Sequence, residues 1–187
     1  MIEIEVKARI EDLKNIEREI IAAGATPIGI ENQADTYYNA PFRDFGSTDE
    51  ALRIRVQDDA CFLTYKGPKM DKISKTRKEF EIKIDEVTNM GNILSSLGFY
   101  PVATIVKKRK KYLMDDFNIA LDDVRNLGYF IEIEISAKNP ANYEDKVERI
   151  FKFIEKLGIS RSSTVRESYL EMLLGESQIK NRSSLLE

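Results

Sequence analysis

The sequence predicts an α+β protein built on an eight-stranded antiparallel β-barrel, closed into a tunnel and flanked by about four helices. Two observations carry this. Short segments alternate strictly between charged and apolar residues, so in extended form each presents one charged and one apolar face. The same order of elements, one strand, one helix and three strands, also occurs twice. Eight strands with apolar faces to cover and only about four helices to cover them call for a strongly curved or closed sheet.

The alternation is clearest at the start. Glu3, Glu5 and Lys7 share one parity, while Ile2, Ile4, Val6 and Ala8 share the other. Ile10, Leu13, Ile16, Ile20 and Ile21 then recur at helical spacing, with Gly24 as the stop. Pro27 ends that turn, and an extended stretch through Asp35-Thr36-Tyr37-Tyr38-Asn39 leads into a loop around Arg43, Asp44, Gly46 and Ser47. Leu52 to Val56 and Phe62 to Lys66 form a hairpin across Asp58-Asp59, and a polar loop spans Lys69 to Ser74.

The second half repeats the plan. A strand is predicted from Lys75 to Ile84, carrying Arg77, Glu79 and Glu81 on one parity. Met90, Ile93, Leu94 and Leu97 mark a helix stopped by Gly98, and Pro101 follows three residues later, as Pro27 follows Gly24. Strands are expected at Thr104 to Met114, Phe117 to Val124 and Tyr129 to Ser136, with turns at Asp115-Asp116 and Asn126-Leu127-Gly128. Val147, Ile150, Phe151, Ile154 and Leu157 give a third helix before Gly158, and Val165 to Leu174 a fourth. Residues 1–175 are therefore read as one tunnel domain and 176–187 as a polar tail.

Composition narrows the chemistry. The net charge of −3, from 29 basic and 32 acidic residues, argues against a nucleic-acid partner held by bulk electrostatics. One cysteine, Cys61, and no long apolar segment make a cytoplasmic protein with no membrane partner the expectation. With no histidine in the chain, the commonest general base and transition-metal ligand are both missing. Acid–base work falls to Asp, Glu, Lys, Tyr or metal-bound water, and any metal is a hard one such as Mg²⁺ or Mn²⁺.

The charged parities converge if the sheet curls: Glu3, Glu5, Lys7 and Arg9; Arg53 and Arg55; Thr64 and Lys66; Arg77, Glu79 and Glu81; Lys107 and Arg109; Asp122; Glu132 and Glu134. A solvated outer face would account for any one of these strands. It does not account for three Glu-x-Glu pairs, or for Arg rather than Lys in Arg53-x-Arg55, where planar forks suit phosphate. An enclosed lumen would leave such charges costly unless they were paired, hydrated or bound to a ligand. A hydrated tunnel holding an anion and a cation meets that requirement. Lys108, Lys110 and Lys111 are expected on a solvated basic face, and Arg9 and Arg77 are explained equally well by pairing with Glu79 or Glu81.

Glu3-x-Glu5-x-Lys7 at the N-terminus resembles the signature of the CYTH superfamily, the triphosphate tunnel metalloenzymes. Further matching stretches occur in order: Asp35-Thr36-Tyr37-Tyr38, Leu52-Arg53-Ile54-Arg55, Leu63-Thr64-Tyr65-Lys66-Gly67-Pro68, Lys107-Lys108-Arg109, Leu121-Asp122-x-Val124 and Gly128 to Glu134. The resemblance implies a triphosphate substrate and an Mg²⁺ or Mn²⁺ cofactor. By position it puts Glu3, Glu5, Asp122, Glu132 and Glu134 on the metal side, and Lys7, Arg53, Arg55, Lys66, Lys107 and Arg109 on the phosphates. Tyr37 and Lys66 match residues implicated in activating water in the triphosphatase branch. Tyr169, in the family-like Arg166-Glu167-Ser168-Tyr169-Leu170, is expected to pack beneath the tunnel rather than plug it.

The Leu63 to Lys69 stretch and the second Glu-x-Glu look most similar to the class IV adenylate cyclase-like branch, which would convert ATP to cyclic AMP and pyrophosphate. A triphosphatase acting on inorganic, thiamine or nucleoside triphosphate is the alternative, since both reactions use the same clamp. A non-catalytic nucleotide- or polyphosphate-binding module is the second alternative. A homodimer is compatible with the chain.

Overall fold

The structure, a computed structural model, describes residues 2–68, 78–137 and 143–175. In chain order the elements are β1 (Ile2–Ile10), α1 (Leu13–Ala22), β2 (Thr26–Asn39), β3 (Ala51–Gln57), β4 (Ala60–Lys66), β5 (Glu79–Ile84), α2 (Val87–Ser96), β6 (Tyr100–Met114), β7 (Phe117–Val124), β8 (Gly128–Ala137) and α3 (Tyr143–Lys156). A short 3-10 turn at Arg161–Ser163 and a helix over 169–175, α4, follow. The two strand-helix-three-strand halves are present as predicted. Lys75, Arg77 and the predicted Lys69 to Ser74 loop lie outside the described residues, as does the tail at 176–187.

All strand pairs are antiparallel and run in the order β1-β8-β7-β6-β2-β3-β4-β5. Exchanging each strand for its counterpart in the other half turns this order into its own reverse. The sheet is thus a pseudo-two-fold repeat joined at its centre by β2 and β6.

Local chemistry sets the boundaries. Asp12 caps α1, its carboxylate accepting from the Asn15 amide at 2.9 Å, and Gly24 ends the helix with φ near 106°. Pro27 does not end a turn, because β2 runs straight through it. Each proline sits beside a register shift in the β2–β6 ladder, Pro27 opposite Tyr112 and Pro101 opposite Tyr38. A residue without an N–H is tolerated there, where ladder bonds are already interrupted.

The apolar parity packs on helices. Ile4, Ile133 and Ile135 meet Ile16 and Ile20 of α1 and Ile150 and Ile154 of α3, and Ile4 is 1% exposed. Leu52, Ile54 and Ile84 meet Leu94 of α2. The opposite face is concave.

Two further predicted features differ. Among the described residues no ladder joins β1 to β5, so the expected barrel is a curled sheet with an open seam. The free edge of β1 is taken by the segment after α3: Ala8 bridges Thr164, and the Val165 amide donates to the Lys7 carbonyl at 2.8 Å. That extended pairing also delays the last helix, predicted from Val165 but starting at 169. Its start is a capping box, with the Glu171 amide donating to Ser168 Oγ at 3.1 Å and the Ser168 amide to Glu171 Oε2 at 2.6 Å.

Candidate active site

Curling the sheet brings one parity of all eight strands around a cavity of about 970 Å³, with Glu5, Gln33, Arg53, Lys66, Glu79, Lys107, Asn118 and Glu132 contributing from successive strands. Lys7, Arg55, Glu81, Arg109 and Glu134 also line it. Glu3 shares their parity, and its backbone pairs with Ser136.

The cations of β2, β3 and β6 converge on one carboxylate. Asp35, 1% exposed, lies opposite Arg55 in the β2–β3 ladder. Arg55 grips it with two bonds, Nε to Oδ1 at 2.6 Å and Nη2 to Oδ2 at 2.7 Å. Lys107 Nζ donates to Oδ2 at 2.9 Å, and Arg53 Nη1 lies at 3.5 Å from the same oxygen. Burial alone would raise the Asp35 pKa. The Arg55 hydrogen bonds and the charges of Lys107 and Arg53 outweigh that and hold it well below the ordinary carboxylate range. Burial pushes Lys107 down to about 8, against the pull of Asp35. Three cations around one anion leave a local positive excess. Arg53 Nε is also buried without an acceptor among the described residues.

A second cluster forms where β6, β7 and β8 meet α4. Arg109 binds Asp122 through Nε at 2.7 Å and Nη2 at 2.5 Å, and also reaches Glu132. Asp122 is fully buried and accepts the Tyr169 hydroxyl at 2.8 Å. Lys7 Nζ sits 4.2 Å above the Tyr169 ring, 3.7 Å from Glu132 Oε1, and donates to the Glu167 carbonyl at 2.9 Å. The Tyr169 ring also packs edge-on to Phe130, centroids 5.0 Å apart. Tyr169 thus packs as expected and at the same time lines the cavity.

The third group lies at the β4–β5 edge. Lys66 and Glu79 are opposite in register and bonded at 2.7 Å, and Thr64, opposite Glu81, donates to it at 2.8 Å. The Tyr37 hydroxyl pairs with Arg53, and burial raises its pKa, which disfavours a phenolate. Tyr37 acts there as a neutral hydrogen-bonding group beside the cations.

Among the described residues no three acidic, Cys or His side chains lie close enough together to hold a metal unaided. Asp122 and Glu132 are engaged by Arg109, so the expected acidic set is divided between two tasks. Glu5 and Glu134 lie directly opposite one another across β1–β8, with Asn118 opposite Glu134 on the other side. Two facing carboxylates and an amide oxygen are a hard donor set. They suit Mg²⁺ or Mn²⁺ when substrate phosphates and water complete the shell.

Some expectations shift. Lys111 shares the cavity parity with Lys107 and Arg109, and its half-exposed side chain bonds Glu31 at 2.8 Å. Lys110 leaves that face, donating to Glu17 of α1 at 2.6 Å. Arg9 pairs with neither Glu79 nor Glu81, because β8 offers it Phe130 instead. Its guanidinium lies 4.9 Å over that ring and donates to the Leu127 carbonyl at 2.7 Å. Asp35, Gln33, Glu31 and Gln57 are site residues that the sequence reading did not single out. Asp35 alone had a signal, its place in a family-like stretch.

The curled eight-stranded sheet, with a lumen of paired carboxylates and arginines, is the architecture of one class of proteins, and the chain belongs to it: the CYTH domain model matches residues 1–169. Among relatives, the Methanocaldococcus jannaschii protein named "Putative adenylate cyclase MJ0240" is 44% identical over 173 residues, covering 92% of this chain and 98% of its own length. Adenylate cyclase CyaB of Aeromonas hydrophila is 24% identical over 170 residues, covering 89% and 86%. Among solved structures, PH1819 of Pyrococcus horikoshii superposes with a TM-score of 0.83 at 40% identity, covering 93% of this chain and 99% of its own. A Hippeastrum adenylyl cyclase-like protein described as having a dominant triphosphatase activity shares the fold, with a TM-score of 0.67 at 21% identity over 90% of this chain and 92% of its own. No helix among the described residues is long and apolar enough to cross a membrane.

Proposed function

We propose that the chain is a divalent-metal-dependent enzyme acting on a triphosphate held in the cavity, with ATP as substrate and cyclic AMP and pyrophosphate as products. The observation that carries the reading is the gathering of Arg53, Arg55 and Lys107 around the single buried Asp35, with the Arg53 Nε donor unspent. Cations held at such cost by one shared carboxylate form an anion site, and planar guanidinium forks match phosphate oxygens. The adenylate cyclase names of two relatives favour cyclisation within that class.

In this reading Arg53, Arg55 and Lys107 bind and orient the phosphates, Lys7, Lys66 and Arg109 add positive charge around them, and Tyr37 hydrogen-bonds beside Arg53. Glu5 and Glu134 would hold the metal ion, which when bound would supply positive charge to stabilise the phosphates. In cyclisation the ribose 3′ oxygen bonds to the α-phosphorus as the bond to pyrophosphate breaks, and the hydroxyl proton passes to solvent. Positioning supplies most of the rate in such a transfer. Hydrolysis needs the same clamp, with Lys66 and Tyr37 orienting a water.

The test incubates the protein with ATP or inorganic triphosphate, with and without Mg²⁺ or Mn²⁺, and follows cyclic AMP, pyrophosphate and phosphate separately. Metal-dependent cyclic AMP with equimolar pyrophosphate is expected. Phosphate release without a cyclic product selects the triphosphatase. Triphosphate binding indifferent to chelator, with no turnover, selects the binding module.

A further inference from the structure

The cavity holds a polar pair that the phosphate clamp does not use. Gln33 of β2 is 3% exposed and projects into the cavity two residues from Asp35, opposite Gln57 of β3 and Lys107 of β6. Its amide nitrogen donates to Glu31 Oε2 at 2.7 Å and to Gln57 Oε1 at 3.2 Å. The orientation of this amide is fixed by chemistry. Glu31 Oε1 accepts from Lys111 at 2.8 Å, and a carboxylate offers only acceptors, so the nitrogen must face it. Gln33 Oε1 is left buried with no donor among the described residues. The Gln57 carbonyl is in turn spent on Gln33, which leaves the Gln57 NH₂ as the donor of the pair.

A buried amide carbonyl without a partner is rare and points to a ligand group that completes it. Phosphate cannot do so, since an ionised phosphate oxygen only accepts. The required group carries an N–H donor with an acceptor alongside. We propose that Gln33 and Gln57 form the specificity subsite for the organic part of the substrate, reading the donor–acceptor edge of a nucleobase next to the phosphate clamp. This rests on the triphosphate reading above and extends it: the subsite distinguishes a nucleoside triphosphate from inorganic triphosphate, which has no such edge. Both adenine, through its amine and ring nitrogen, and guanine, through its ring N–H and carbonyl, offer that chemistry.

The test measures calorimetric affinities, in the presence of Mg²⁺, for ATP, GTP, purine riboside triphosphate and inorganic triphosphate. Gln33→Met keeps the volume and removes the acceptor. It is expected to weaken the preferred nucleotide at least about tenfold and inorganic triphosphate less than about twofold, a full hydrogen-bond loss in a buried site. The wild-type protein should bind purine riboside triphosphate, which lacks the exocyclic amine, more weakly than ATP if adenine is the base read, and GTP most tightly if guanine is. Gln57→Met gives the same split if Gln33→Met does not fold. Equal weakening of all four ligands, or no change in any, overturns the subsite while leaving the triphosphate reading intact. Absence of binding by any triphosphate in the wild type overturns both.

Discussion

Asp35 and Arg55 form a two-pronged ion pair across the β2–β3 ladder, at 2.6 and 2.7 Å, on the concave side of the sheet. Because Lys107 and Arg53 share the same carboxylate, Asp35 is the counter-ion for an entire anion site, and its removal tests how that site is stored without ligand.

Asp35→Asn should destabilise the unliganded protein by about 3–5 kcal/mol, the usual cost of breaking a buried ion pair. Added triphosphate should raise its melting temperature by more than it raises that of the wild type, since ligand then replaces the lost anion. The pH dependence has a definite sign. The folded pKa of Asp35 is depressed, so its contribution is present above the ordinary carboxylate pKa of about 3.9 and is lost as pH falls below it. Asp35→Asn should therefore flatten the acid limb of stability measured by denaturant titration.

Arg53→Lys keeps the charge but loses the fork and the buried Nε donor. Triphosphate affinity should fall about 10- to 100-fold, 1.5–3 kcal/mol for a charge-assisted bond, with monophosphate affected less. Calorimetry on both ligands checks this, and an unchanged triphosphate affinity counts against the clamp.

Glu5→Gln and Glu134→Gln preserve volume and remove a hard anionic ligand from the facing pair. Activity should fall, and the Mg²⁺ or Mn²⁺ concentration for half-maximal rate should rise, with the melting temperature nearly unchanged. A Glu5→Gln variant with full activity and unaltered metal dependence would remove that carboxylate from the site.

Lys107 makes binding pH-dependent. With its pKa pushed down to about 8, the ammonium is half deprotonated there in the free protein, and an anionic ligand restores the proton. Triphosphate affinity should decline as pH rises from 8 to 9, and calorimetry at pH 8 in buffers of different ionisation enthalpy should show net proton uptake. Lys107→Arg should abolish both. In the free protein the sign reverses. Between about 8 and the unfolded value of about 10.4 the unfolded chain binds more protons, so the Lys107 contribution to stability rises with pH.

Ile4→Asp places a charge on the opposite parity of β1, at 1% exposure among Ile16, Ile20 and Ile150. It should destabilise the protein by several kcal/mol, with activity lost only as the folded fraction is lost. The contrast with Glu5→Gln, one residue away, separates core from site.

Parity was legible in the sequence because strand periodicity is strictly two: once Ile4 was assigned to the core, Glu5 and Lys7 had to face the other way. The duplication was legible for a similar local reason, since Gly24 and Gly98 both mark helix ends by their positive φ. What only the tertiary structure decided is which charges meet. Glu5 faces Glu134, while Asp122 is drawn to Arg109 and Tyr169, because ladder register and sheet curvature set cross-strand distances that no spacing along the chain encodes. The same holds for Asp35, whose three cations come from β3 and β6, 18 to 72 residues away in sequence. It holds as well for the edge of β1, which among the described residues pairs with Thr164 and Val165 and not with β5.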